Sequence, residues 1–292
     1  MRIQSVVIEN FRAIESVEMR NLSDAVVVAG PNGCGKSSIF DAVRLVKSAY
    51  GQYSNNEFGS WFSEFQININ KLQNESKRIL NNPSKPLKIE IEFNLDKNEK
   101  DYIRSNAVDI FKKMRWSQIT RQRSLDGDIQ IRDPRTKLQD GAIVDRDAKS
   151  MADAVLELID RESHLASLTM SPGDSPSVIG SPVLELIFSI YQPQDIGVID
   201  YQSPSRTYSR EQVSNLNLQI QDASASKGAQ HALYNTQNKY TGVKTEMAQS
   251  YVRELLAEKA GVPVPDENTL KSTLDELFSI FFPGKKFLGA IP

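Results

Sequence analysis

Gly30-Pro31-Asn32-Gly33-Cys34-Gly35-Lys36-Ser37 is the stretch that decides the fold of this chain. It fits the pattern G-x-x-x-x-G-K-[ST], in which glycines let the backbone wrap closely around an anion without Cβ clashes. Successive backbone N–H groups then point into a concave nest that holds phosphate oxygens. A helix that begins at the end of the loop turns the positive end of its dipole toward the same anion. The stretch therefore predicts a phosphate-binding loop for a nucleoside triphosphate.

The predicted site residues take different roles in this loop. Lys36 is predicted to reach the β- and γ-phosphates as the catalytic residue, and the Ser37 hydroxyl to bind Mg²⁺. The expected cofactors are ATP and Mg²⁺. The backbone amides of residues 33–38 are predicted to cradle the phosphate oxygens. The nucleotide-binding residues predicted from the loop itself are Gly30, Gly33, Cys34, Gly35, Lys36, Ser37 and Ser38.

The sequence on either side of the loop predicts the strand and the helix that such a loop requires. Residues 25–29, Ala-Val-Val-Val-Ala, form a short apolar run of the kind found in buried strands. After Lys36, apolar residues fit one face of a helix, which we expect to end near Tyr50-Gly51 because glycine commonly stops helices. That face comprises Ile39, Phe40, Ala42, Val43 and Val46.

Composition and charge describe an ordinary globular chain of 292 residues with a net charge of −2, so no global field attracts nucleic acid or an anionic membrane. No apolar run approaches the length of a membrane-spanning helix, and no membrane partner is expected. A single cysteine cannot form an internal disulfide, which fits a reducing, cytoplasmic location. Two histidines exclude a histidine-rich metal site.

Periodicity along the rest of the chain predicts a β-rich subdomain with helices inserted. Two short strands precede residue 20, and residues 87–93 alternate between apolar and polar as a half-buried antiparallel strand does. Residues 96–114 and 148–168 read as helices, and residues 116–132 as a hairpin with an Asp-Gly turn. Residues 196–201 read as a strand. We expect an N-terminal ATPase lobe over residues 1–145 and a helical region over residues 146–292, which leads toward a missing C-terminal lobe.

A basic stretch and an aromatic cluster each allow a functional and a structural interpretation. Residues 97–123 hold eight basic and three acidic residues, which favours either a nucleic-acid contact or, more commonly, a solvated helix face. Trp61, Phe62 and Phe65 could stack on a base, but aromatic side chains at this spacing more often pack in a core. His164 falls on a predicted helix, where an ordinary surface role is expected.

Residues 1–50 resemble the start of an ABC-type ATPase head. Glu9-Asn10-Phe11-Arg12, followed about 20 residues later by Gly-Pro-Asn-Gly-Cys-Gly-Lys-Ser-Ser, is similar to the SMC, RecF and double-strand-break-repair ATPases. It is also similar to the related AAA-family ATPases of OLD-type and phage-defence systems, to which residues 196–210 and 281–287 show a weaker similarity. The resemblance implies an α/β fold, a P-loop NTPase of the ABC head type with a β-rich subdomain and a helical insertion.

The resemblance also implies two further nucleotide contacts. Arg12 corresponds to an arginine near the phosphates, although an exposed arginine is often an ordinary surface residue. Asn32 corresponds to a residue used near the γ-phosphate. In a complete head ATP lies between two heads, so a second copy or a partner ATPase or nuclease subunit is expected, with DNA as a further partner. DNA repair, DNA maintenance or phage defence is the implied setting.

Two elements of such heads are missing from this sequence. It contains neither Ser-Gly-Gly nor Ser-Gly-Glu, the core of the signature motif, and no run of four hydrophobic residues that ends in Asp-Glu or Glu-Glu. Val198-Ile199-Asp200 comes closest to the Walker B strand, but Tyr201 stands where a catalytic glutamate would follow. Either the chain is the N-terminal part of a longer ATPase, which its end favours, or it is a nucleotide binder that does not hydrolyse ATP alone.

Overall fold

The computed structural model describes residues 1–125, 134–203, 228–239, 242–261 and 270–285, with the side chains of residues 120–139 and a few others left aside. The chain forms two compact units, Met1–Asp200 and Tyr201–Pro292. The functional lobes expected at residues 1–145 and 146–292 stay a prediction.

A five-stranded antiparallel sheet forms the centre of the first unit. Its strands are β1 (Arg2–Phe11), β2 (Ile14–Met19), β3 (Leu87–Asn94), β4 (His164–Met170) and β5 (Ser177–Val178), in the order β2-β1-β3-β4-β5. Val6 lies opposite Met19 on one side and Ile91 on the other. Along β3 the apolar residues are fully buried and the polar residues between them are partly buried, as the period-two pattern predicts. The first unit thus combines strands and helices, and a separate β-rich subdomain stays a prediction.

Helix α1 (Lys36–Tyr50) packs against this sheet and carries the loop at its N-terminus. Ala42, Leu45 and Val46 are completely buried, and the helix ends at Gly51 as predicted. Phe40 departs from the predicted apolar face, because its side chain is 49 % exposed. α2 (Glu57–Glu64) follows, and then a short turn of helix, α3 (Leu72–Glu75), with a 3₁₀ turn on each side (Ile69–Lys71 and Ser76–Arg78).

The aromatic residues of α2 are packing residues. Trp61 and Phe62 are 0 % and 1 % exposed, and Phe65 lies 4.7 Å from the Trp61 ring. The expectation that these side chains pack in a core is therefore confirmed for Trp61 and Phe62.

A pair of long helices, α4 (Lys97–Leu125) and α5 (Pro134–Leu158), is inserted between the adjacent strands β3 and β4. The hairpin predicted over residues 116–132 is wrong in its first half, since residues 116–125 continue α4. No Gly or Pro interrupts α4, so nothing in its backbone stops the helix there. Residues 126–133, with the predicted Asp-Gly turn, lie outside the described residues.

The helix predicted over residues 148–168 is also wrong at its end. α5 stops at Leu158, and His164–Met170 forms β4, which pairs with β3 along its whole length. Pairing with a strand that is distant in the sequence decides the conformation here, and local periodicity does not report such pairing. His164 consequently lies in the sheet, where it is 5 % exposed, and the surface role expected for it is wrong.

Two predicted strands are absent from the described residues. Residues 25–29 are irregular, and Val27 is 91 % exposed. Residues 196–200 are likewise outside any strand. A strand needs a neighbour for its backbone N–H and C=O groups, and the described part of the chain provides neither segment with one. The predicted strand–loop–helix unit is therefore reduced to loop and helix.

The remaining elements are helical. In the first unit α6 (Pro182–Ile187) begins at Ser181, whose hydroxyl accepts the Leu184 N–H. The second unit contains α7 (Val243–Ala260) and α8 (Leu270–Phe281). Among the described helices, none has the length and apolar character that a membrane span requires.

Candidate nucleotide-binding site

The loop that precedes α1 depends on two glycines in the left-handed region. Gly33 has φ 84° and Gly35 has φ 95°, conformations that strain residues with a Cβ. Gly35 also lies against the turn between β1 and β2, because a Cβ there would be 3.1 Å from Ile14 Cγ1 and 3.7 Å from Ala13 Cβ. The loop therefore packs closely on the residues that follow Arg12.

The loop also closes on itself. A Cβ added at Gly30 would lie 2.8 Å from Cys34 Sγ, and the Cys34 N–H donates weakly to the Pro31 carbonyl at 3.5 Å. Any larger residue at position 30 would fill the concavity. The observed shape is thus a cradle formed by the loop backbone together with the Cys34 side chain.

Lys36 extends back across this cradle. Its Nζ donates to the carbonyls of Gly30 at 2.7 Å and Pro31 at 2.6 Å and lies 3.8 Å from Cys34 Sγ, so the ammonium is held against the loop. No carboxylate of the described residues pairs with it. The positive charge therefore remains available to an anion in the cradle.

The donor set of the loop fits a phosphate chain and Mg²⁺. Among the described residues, the N–H groups of Gly33 and Gly35 have no acceptor, and those of the first helical turn have none within the helix. These donors, the Lys36 ammonium and the helix dipole suit a polyanion. The exposed Ser37 hydroxyl is an oxygen ligand of the kind that Mg²⁺ uses beside substrate phosphates.

Arg12 lies at the side of the loop, in the left-handed region with φ 50°. Its Nη1 donates to the Asp41 carboxylate on α1, and its guanidinium carbon lies 4.1 Å from the centre of the Phe65 ring. Its backbone is fixed by bonds to the Ile79 carbonyl (2.7 Å) and the Asn81 side chain (2.8 Å). Arg12 is therefore an ordered residue next to the loop, while its predicted contact with phosphate stays a prediction.

A family model for the AAA ATPase domain matches residues 1–281. The chain belongs to this AAA ATPase domain family. Membership implies ATP binding and hydrolysis, with Mg²⁺ as the usual metal, and it places the chain among P-loop NTPases of mixed α/β structure. A comparison with curated proteins finds no match.

In this AAA ATPase domain the other predicted loop residues differ in exposure. Asn32, Cys34 and Ser37 are exposed, whereas Ser38 is 7 % exposed and turns its side chain into the protein. Ser38 can therefore offer its backbone N–H to a ligand more readily than its hydroxyl. The role of Asn32 near the γ-phosphate stays a prediction.

Sequence reasoning missed Asp41, which meets Arg12 beside the loop. Burial raises the pKa of this carboxyl group, and the positive charges of Arg12 and Arg44 oppose that shift. A signal for it was present, because Asp41 follows Ser37 by four residues and so lies on the same face of α1. For Phe65 the sequence left base stacking or core packing open, and neither alternative connects it with Arg12.

Asn10, in the motif that carries the resemblance, has a structural role. Its side-chain amide donates to the carbonyls of Asn82, Lys85 and Pro86, and its Oδ1 accepts the Asn82 N–H at 2.6 Å. It thus fixes the loop before β3 to the end of β1. Phe11 is completely buried, 6.1 Å from the Trp61 ring. Arg12 is therefore the residue of the motif whose side chain can reach a ligand.

The basic stretch of the AAA ATPase domain lies along α4 and faces acidic residues of α5. Lys112 pairs with Asp145 at 2.9 Å and Arg115 with Asp147 at 3.3 Å. Such pairs reduce the positive charge that α4 presents to solvent. A nucleic-acid contact through this helix stays a prediction.

Proposed function

We propose that residues 30–38 bind Mg²⁺-ATP in an ATPase head of the ABC type. The observation that carries the proposal is the cradle itself, a loop closed on itself whose Gly33 and Gly35 N–H groups have no acceptor among the described residues and against which the Lys36 ammonium is held. Nucleoside triphosphates suit this arrangement because several phosphate oxygens can use these donors at once.

The residues of the loop take separate roles in this proposal. Lys36 neutralises the charge on the β- and γ-phosphates, and the Ser37 hydroxyl holds Mg²⁺, which supplies charge stabilisation at the phosphate oxygens. The N–H groups of residues 33–38 orient the phosphates. Arg12 contacts the phosphates and Asn32 lies near the γ-phosphate, as the resemblance implies.

The proposal extends to how hydrolysis is completed. No residue of the sequence supplies the signature motif, and Tyr201 occupies the place of a catalytic glutamate after Asp200. We infer that these groups come from a partner ATPase or nuclease subunit, because a second copy of the same sequence lacks them too. DNA repair, DNA maintenance or phage defence is the biological setting that the resemblance supports.

The same observation favours one alternative. Without a catalytic glutamate the chain would act as a nucleotide-gated binding module, in which ATP changes the affinity for a partner chain and is not hydrolysed by this chain alone. The two functions share the binding site and differ only in turnover.

Substitution of Lys36 by alanine tests the binding site. We expect the variant to bind a fluorescent ATP analogue about tenfold to a hundredfold more weakly, because each hydrogen bond to a charged group contributes about 1.5–3 kcal/mol. Its far-UV circular dichroism should be unchanged, since within the described residues Lys36 bonds only atoms of its own loop, the Gly30 and Pro31 carbonyls and the Cys34 sulfur. The matched control is Lys113→Ala, which removes an exposed lysine from α4. Equal affinity of wild type and Lys36→Ala would refute the proposed site.

Turnover separates the two functions. ATPase activity that depends on Lys36 and appears only when a partner ATPase or nuclease subunit is added supports completion by another polypeptide. Tight binding without turnover at any concentration supports the binding module.

A further inference from the structure

Arg12, Asp41 and Phe65 form a small arrangement beside the cradle, which we call the Arg12 dock. The Asp41 carboxylate receives a hydrogen bond from Nη1 of Arg12, and the Phe65 ring covers the face of the guanidinium at 4.1 Å. A cation held over an aromatic face and bonded to a carboxylate has lost most of its rotational freedom. The dock therefore fixes the direction in which the guanidinium points.

The dock lies directly against the proposed site. A Cβ added at Gly35 of the loop would lie 3.7 Å from the Cβ of Ala13, the residue after Arg12. Asp41 lies one helical turn after Ser37 on the same face of α1. Both halves of the dock are thus attached to residues that form the cradle.

The guanidinium keeps donors available. Arginine has N–H groups on two edges of a planar fork, and only Nη1 bonds Asp41. Within the described residues Nε and Nη2 have no acceptor, and the side chain is 29 % exposed. A phosphate oxygen can therefore bond the second edge while Asp41 keeps the first.

A buried arginine braces the dock. Arg44 is 1 % exposed and donates through Nη1 to Asp41 at 3.4 Å and to Glu64 at 3.2 Å. Glu64 is the last residue of α2 and directly precedes Phe65. Arg44 consequently links Asp41 to Glu64, the residue next to Phe65.

We propose that Asp41 is a positioning residue for nucleotide binding, which holds Arg12 so that one edge of its guanidinium faces the phosphates in the cradle. This inference rests on the proposed function of residues 30–38. Asp41 does not touch the nucleotide, and its whole effect passes through Arg12. The dock removes the cost of ordering a flexible arginine when the nucleotide binds.

A double-mutant cycle tests this dependence. Asp41→Asn keeps the shape of the side chain and removes its charge, and we expect it and Arg12→Ala each to weaken ATP binding by about tenfold. In the Arg12→Ala background, Asp41→Asn should add no further loss, because the residue it positions is gone. Equal losses in both backgrounds would overturn the proposal.

The Trp61 side chain provides a spectroscopic readout. Its Nε1 donates to the Asp41 backbone carbonyl at 2.9 Å, a bond that Asp41→Asn preserves, and its ring lies 4.7 Å from Phe65. The chain has two tryptophans, so Trp116→Phe leaves Trp61 as the single reporter. We expect Mg²⁺-ATP to change Trp61 emission in this background, and the change to be lost with either Arg12→Ala or Asp41→Asn.

Two further variants control for a loss of folding. Glu57→Gln breaks another buried ion pair of α1, that with Lys47, and should leave ATP affinity and the Trp61 response intact. If it weakens ATP binding as much as Asp41→Asn does, the role of Asp41 is only structural and the proposal fails. If Asp41→Asn does not fold, Phe65→Leu tests the dock in its place, because it removes the aromatic ring over Arg12 and leaves Asp41 intact. It should then weaken ATP binding by the amount expected for Asp41→Asn.

The outcome distinguishes this inference from the proposed function. Lys36-dependent ATP binding that is indifferent to Asp41→Asn would refute the positioning role alone. Absence of Lys36-dependent binding in the wild type would refute both.

Discussion

At the residue scale, His164 couples the stability of the sheet to pH. Burial in β4 lowers the pKa of this imidazole below its ordinary value of 6.5, and the positive charges of Lys100 and Arg161 lower it further. The unfolded chain then binds a proton at this site at a higher pH than the folded chain does. The stability that neutral His164 contributes is complete above about pH 6.5 and is lost as the pH falls below it.

We therefore expect the free energy of unfolding of the wild type to decrease between about pH 7.5 and about pH 5.5, and to decrease less in His164→Leu. Urea unfolding at both pH values measures this difference. His231→Leu is the control, since it removes the only other histidine and should keep the dependence due to His164. An identical pH dependence in wild type and His164→Leu would contradict the assignment.

Residues also show how far the candidate site could be predicted from the sequence. Lys36, Ser37 and the loop glycines could be named because their chemistry is contained in one short motif. Asp41 and Phe65 could not, because their relation to Arg12 depends on how α1, α2 and the β1–β2 turn meet. Only the four-residue spacing between Ser37 and Asp41 can be read from the sequence.

At the scale of elements, α4 begins with a capping box whose glutamate, Glu99, also accepts hydrogen bonds from two other segments of the chain. Asp96 Oδ1 accepts the Glu99 N–H and Glu99 Oε2 accepts the Asp96 N–H, each at 2.9 Å. Glu99 Oε1 also accepts the Gly197 N–H at 2.6 Å and pairs with the buried ammonium of Met1. One glutamate thus joins the helix start to two other segments.

Asp96→Ala should lower the free energy of unfolding by about 1 kcal/mol, the usual effect of losing a cap. Glu99→Ala should cost about 3 kcal/mol, because it also leaves a buried N–H and a buried ammonium without an acceptor. Denaturant unfolding compares both with Glu157→Ala, an exposed glutamate of α5 expected to change stability by less than about 0.5 kcal/mol. If Glu99→Ala costs no more than Asp96→Ala, the additional bonds contribute little.

Elements differ in how well the sequence predicts them. β3 and the start of α4 follow from alternation and from a capping residue, signals that are local. β4 was mistaken for helix and residues 25–29 for a strand, because strand formation depends on neighbours far away in the sequence. The hairpin predicted after Met114 is wrong for residues 116–125, where α4 continues without a Gly or Pro to end it.

At the scale of the whole molecule, the groups that form the candidate site lie within one compact unit. The cradle, the Arg12 dock and its brace all belong to Met1–Asp200. This unit also has its own buried core around the sheet, with Ile8, Ile89 and Leu168 completely buried. A core of this kind is what allows a unit to fold alone.

We therefore expect residues 1–200, produced without the second unit, to fold and to bind Mg²⁺-ATP with an affinity within about threefold of the full chain, a difference below about 1 kcal/mol. Isothermal titration measures both affinities, and Lys36→Ala in the short chain provides the control for specific binding. Cooperative urea unfolding establishes that the short chain is folded. A folded short chain that binds no nucleotide would show that residues after Asp200 contribute directly to the site, because none of the contacts that define the cradle would have been removed.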